Sequence, residues 1–81
     1  MREFIISILS LMGFGVNGVM FGGDEFFVSK LHDYVPNMDI AIESSNDSGM
    51  TVSVTASDGD KFCIIYTYCE GTRRIKSVEI I

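Results

Sequence analysis

Residues 38–81, MDIAIESSNDSGMTVSVTASDGDKFCIIYTYCEGTRRIKSVEII, decide the fold. Apolar and polar side chains alternate there in four bursts, at 38–44, 51–57, 61–69 and 74–81. A period of two is the mark of a strand with one buried face. Between the bursts stand Asn46-Asp47-Ser48-Gly49, Ser57-Asp58-Gly59-Asp60 and Glu70-Gly71-Thr72. Ser-Gly and Asp-Gly supply the positive φ angles that tight hairpins use, so the segment reads as a four-stranded antiparallel meander. Val52, Val54 and Ala56 then share one face, and Thr51, Ser53 and Thr55 the other. In the third strand Phe62, Ile64, Tyr66 and Tyr68 oppose Cys63, Ile65, Thr67 and Cys69, and both sets are largely apolar. That places the third strand inside the sheet rather than at its edge.

Upstream, the period changes to that of helices. Residues 24–34 begin with Asp24 and Glu25, which suit the positive end of a helix dipole, with Gly23 or Asp24 available as cap. Pro36 stops this helix, and Phe27, Leu31 and Tyr34 or Val35 form its apolar stripe. Residues 4–12 are almost continuously apolar, but Glu3, Ser7 and Ser10 recur at helical spacing. They predict one narrow polar stripe on an otherwise buried helix. The same stretch also reads as a poor secretory signal, with Arg2 offset by Glu3 and small-residue sites at Gly15 or Gly18. A membrane span is disfavoured, because Gly13, Gly15, Asn17 and Gly18 interrupt the apolar run before the roughly 18 residues a bilayer needs.

The eighty-one residues thus read as one small α+β domain: a helical part over 1–35, with a glycine-rich hinge at 13–23, packed on one face of a sheet over 38–81. With 47% hydrophobic residues the chain is too apolar to be disordered, and its surplus apolar surface is available for dimerisation or partner binding.

Two short motifs in the hinge call for comparison with known chemistry. Gly13, Gly15 and Gly18 spell Gly-x-Gly-x-x-Gly, the turn that carries a pyrophosphate in dinucleotide-binding folds. There the glycines follow a strand and open a βαβ unit; here they follow a helix, and no such unit comes after. Gly22-Gly23-Asp24-Glu25-Phe26 resembles the signature pentapeptide of the diguanylate cyclase family, where it lies on a hairpin and helps bind GTP and metal. The resemblance covers these five residues. The family's upstream Arg-x-x-Asp would fall near Gly13 and Val16, which are neither, and the residues after Phe26 turn helical. The first motif therefore reads as a hinge between two helices, and the pentapeptide as a chance match.

No catalytic constellation emerges from the remaining residues. His32 is the single histidine, and a dyad with Cys63 or Cys69 would have to form across the fold. The two cysteines stand six apart on one strand, about 20 Å at 3.3 Å per residue, too far for a disulfide and too few for a metal centre. Asp58 and Asp60 lack the ligand spacing of a calcium loop. The sequence reads as non-enzymatic, with no cofactor and no metal.

Charge is the remaining signal. The net charge is −5, and over residues 24–60 eight carboxylates (Asp24, Glu25, Asp33, Asp39, Glu43, Asp47, Asp58, Asp60) face one lysine, Lys30. Such a field repels phosphate backbones, which argues against direct nucleic-acid binding and for a protein partner with a basic surface. The expected contact residues are Asp39, Glu43, Asp47, Asp58 and Asp60. A small acidic domain without catalytic groups resembles the accessory proteins by which phages and mobile elements inhibit host machinery, including nucleic-acid-handling proteins. On that reading it acts in the cytoplasm of a bacterial host; the alternative is a secreted or periplasmic protein.

Overall fold

Each alternating segment forms a strand in the computed structural model, which describes residues 2–81. Strands β1 (Asp39–Asn46), β2 (Gly49–Thr55), β3 (Lys61–Tyr68) and β4 (Ile75–Ile80) lie side by side in chain order, every neighbouring pair antiparallel. Helices α1 (Arg2–Leu11) and α2 (Asp24–Tyr34) precede the sheet and pack on one of its faces, so the architecture is the expected α+β meander. As the two apolar faces of β3 required, that strand is internal.

The first hairpin is tighter than its turn residues suggested. Asn46 pairs with Gly49, leaving only Asp47 and Ser48 in the loop. The Asn46 side-chain oxygen accepts from the backbone N–H of Ser48 (2.7 Å) and of Gly49 (3.2 Å), which fixes the turn locally. Positive φ angles occur at Gly59 and Gly71, in the second and third turns, but not at Gly49. The expectation for Ser48-Gly49 is therefore corrected. Gly49 is needed for space instead, because a Cβ there would collide with the carbonyl oxygen of Tyr66 on β3.

The core lies between the helices and the sheet. Ile5 and Leu9 of α1, Phe27 and Leu31 of α2, and Val52, Val54, Ile64 and Tyr66 of the sheet are almost wholly excluded from water. Each such burial stabilises by about 1.5–3 kcal/mol. The stripe of α2 ends on Val35, which is buried, and not on Tyr34, which is exposed. On α1 the polar residues Glu3, Ser7 and Ser10 do face solvent. The rest of that cylinder is less buried than predicted, for Phe4, Ile6 and Leu11 are exposed as well, Leu11 at 74%. The reason is geometric. Helix α1 is an outer layer that rests on the core through Ile5, Ile8 and Leu9, with Met12 just after it, and among the described residues nothing buries its flanks.

The glycine-rich segment links the two helices and is fastened to the start of β4 and the residues before it. Asn17 N–H donates to Ile75 O (3.0 Å), Ile75 N–H to Gly18 O (2.7 Å) and Met20 N–H to Arg73 O (2.8 Å), and Val19 bridges Arg74. Phe14 is fully buried, its ring 5.4 Å from that of Phe27, and its carbonyl accepts from the buried Tyr66 hydroxyl at 2.8 Å. Gly18 must be glycine here, since a Cβ would stand 2.5 Å from Gly13 O and 3.0 Å from Gly15 O. The three glycines thus serve the local chain path, Gly13 by its positive φ, Gly15 by its approach to Ser10 and Gly18 by close packing of backbone on backbone.

Candidate functional site

Helix α2 packs over β1, the strand at the outer edge of the sheet. Its buried stripe turns Glu25, Ser29, His32 and Asp33 outward along β1, because residues three and four apart share a helix face. Between helix and strand runs a cleft of about 380 Å³ lined by Asp24, Glu25, Val28, Ser29, His32, Asp33 and Ile42. Half-buried Val28 and Ile42 give it an apolar floor, and three carboxylates line its walls. The Ser45 hydroxyl donates to Asp24 Oδ1 at 3.0 Å, which ties the first turn of α2 to the far end of β1. Asp24 is thus a fastening and not a cap; the N-cap is Gly23, without a side-chain bond.

Lys30 could neutralise these acids, yet it points elsewhere. Its ammonium lies 5.7 Å from the ring centres of both Phe21 and Phe26, on the flank of α2 away from β1. Those two rings are 5.4 Å apart and about half exposed. Cation–π contact holds Lys30 in place there. Four other basic residues lie on the β3–β4 side: Lys61 at the start of β3, Lys76 on β4, Arg73 over the Tyr68 ring at 5.4 Å, and Arg74 at the Val19 bridge. Among the described residues the lining of the α2–β1 cleft thus holds no lysine or arginine, whereas the β3–β4 side mixes its bases with Glu70 and Glu79.

The five acidic residues expected to make contact are not gathered in one place. Asp39 begins β1 and pairs with Thr55, which brings it to the end of the sheet where the turn carrying Asp58 and Asp60 lies. Asp47 is in the opposite turn, about 25 Å away at 3.3 Å per residue, next to Gly71, Thr72 and Arg73. Glu43 stands at the bulge between Ile42 and Ser44, midway along the open edge. Asp58 is partly occupied, its carboxylate accepting from Asp60 N–H at 3.0 Å. Asp39 pairs with Thr55 on the sheet face away from α2 and Glu43 stands at the bulge, so neither lines the cleft that holds the acids of α2. Asp24, Glu25 and Asp33 were counted in the charge but not placed at the contact, and the i, i+4, i+7 spacing of Glu25, Ser29 and His32 is the signal that marked that face.

Other candidates separate in space. His32 lies on α2, over the helix-bearing face, whereas Cys63 belongs to the opposite face of β3 and Cys69 follows the end of that strand. Both cysteines are free thiols. Gly22 and Gly23 lead into α2, with Asp24, Glu25 and Phe26 in its first turn, so the pentapeptide does not sit on a hairpin. Among the described residues, no three of His, Cys, Asp or Glu converge to hold a metal ion, and no helix is long and apolar enough to cross a membrane. No protein-family model matches the chain, and neither curated proteins nor solved structures yield a match.

Proposed function

We propose that this chain is a non-enzymatic protein-binding module that docks the α2–β1 flank on a basic surface of a larger partner, and so blocks or modulates it. One observation carries the reading: the carboxylates of Asp24, Glu25 and Asp33 on α2 line the cleft against β1, while Lys30 is held against Phe21 and Phe26 on the other side of the helix. Carboxylates lining one concave surface focus the field, raise the local concentration of a cationic surface and speed encounter. Partners that handle nucleic acids carry such basic surfaces, and the compositional likeness to phage and mobile-element inhibitors points to the same class. Nucleic acid itself is repelled by the flank.

The test is kinetic. A partner recovered by cross-linking in the native host should associate more slowly as the screening length falls from about 10 Å at 0.1 M salt to about 3 Å at 1 M. Glu25→Lys with Asp33→Lys should slow association far more than Arg73→Glu with Arg74→Glu. Association that ignores both salt and the α2 changes overturns the proposal.

A further inference from the structure

We infer that the cleft between α2 and β1 takes an extended, lysine- or arginine-bearing segment of the partner, which joins the sheet as a fifth strand beside β1. The inference rests on the acidic-flank reading above and gives that contact a definite form. Strand β1 has eight residues and pairs only with β2; among the described residues no backbone hydrogen bond reaches its outer edge. Unpaired N–H and C=O groups along an edge are a template for another strand. An extended segment lying there sends alternate side chains to opposite faces of the sheet. Those on the helix side enter the cleft, where Val28 and Ile42 receive an apolar group and Glu25 and Asp33 receive a cationic one.

Charge decides which strand is admitted. Two copies of this chain paired edge to edge would bring Asp39 and Glu43 of one against the same residues of the other, and like charges across a strand pair destabilise it. An acidic segment meets the same repulsion, whereas a basic one is matched along β1 and in the cleft. The bulge between Ile42 and Ser44 interrupts the edge, so the continuous run available for pairing is its first half, beside Ile42 and the cleft.

Three peptides of eight residues, the length of β1, test this with the intact protein. One alternates lysine with valine and threonine, the second has glutamate in place of lysine, and the third is the lysine peptide with alternate amides N-methylated. Binding is followed by fluorescence anisotropy and by amide hydrogen exchange. The lysine peptide should bind and slow exchange in β1, and N-methylation, which removes donors from the added strand, should weaken it at least tenfold. Glu25→Lys with Asp33→Lys should weaken it similarly. Equal binding of the N-methylated peptide overturns strand addition, while a surviving effect of the α2 changes leaves the acidic-flank reading standing. Equal binding of the glutamate peptide, or indifference to the α2 changes, overturns both. Failure of the lysine peptide to bind, or protection on β4 or the open face alone, overturns the inference.

Discussion

The two edges of the sheet are protected by different means. At the start of β4 the chain itself provides cover: the segment from Asn17 to Met20 makes three backbone hydrogen bonds with Arg73 and Ile75 and the Val19–Arg74 bridge. At β1 no strand pairs with the outer edge among the described residues, and the edge carries Asp39, Glu43 and a bulge instead. Charges and bulges discourage self-pairing without filling the edge. The comparison teaches that the entry to one edge strand is held by the chain while the other edge carries charge and a bulge instead, and substitutions on the two sides should therefore have opposite signatures.

The largest effect belongs to the covered side. Phe14→Ala removes a fully buried ring that contacts Phe21 and Phe27, at a cost of about 3–5 kcal/mol, comparable with the whole stability of a small domain. Urea titration should show a transition at much lower denaturant or none; a midpoint close to wild type would mean that this edge does not depend on its cover. Gly18→Ala comes next, since its Cβ meets the backbone oxygens of Gly13 and Gly15 and the strain amounts to about 1–3 kcal/mol. Hydrogen exchange should quicken at the Ile75 amide, which donates to Gly18, before it does in β2.

Tyr66→Phe is expected to cost about 1–2 kcal/mol, because the buried Phe14 carbonyl loses its donor. Burial, reinforced by Tyr68, holds the Tyr66 phenol well above the ordinary tyrosine range, so it stays protonated in the folded chain where the unfolded chain has already ionised. The unfolded state then binds fewer protons, and stability falls as pH rises beyond about 10, by up to about 1.4 kcal/mol per pH unit for one group. Burial raises Tyr68 in the same direction, opposed by Arg73. Denaturant titrations between pH 9 and 11 should show a slope that Tyr66→Phe reduces; an unchanged slope would remove Tyr66 as its cause.

The smallest effect on stability belongs to the open edge. Asp39→Thr with Glu43→Thr alters exposed side chains and should change stability by less than about 0.5 kcal/mol. Light scattering should nonetheless reveal concentration-dependent association of the double variant. If it stays monomeric, charge is not what guards β1.

The parts of this molecule that sequence discloses are those whose causes are local. Alternation in Val52 to Val54 or in Phe62 to Tyr68 is visible within a few residues, and so are Pro36 and the acids that open α2. Three features have distant causes and left no such mark. Gly49 looks like a positive-φ turn residue until Tyr66 is placed beside it, Gly18 gives no sign of its bond to Ile75, and the acids of α2 line a cleft against Ile42 only once the helix lies over β1. The exposure of the α1 flanks has a similarly distant cause. Apolar identity at Phe4, Ile6 and Leu11 cannot reveal whether a neighbour exists to bury them.

The hydrogen bond from Tyr66 to the Phe14 carbonyl joins residues 52 positions apart, while every strand pair in the sheet is a hairpin between chain neighbours. Closing a long loop costs more entropy than closing a short turn, and long-range contacts slow folding. The topology therefore predicts an order of events: the hairpins form in the folding nucleus, and the N-terminal segment docks after the rate-limiting step. Phe14→Ala should speed unfolding with little change in the folding rate, whereas Val52→Ala should slow folding. The cover over β4 then acts as a latch, and its release rate sets the lifetime of the folded chain.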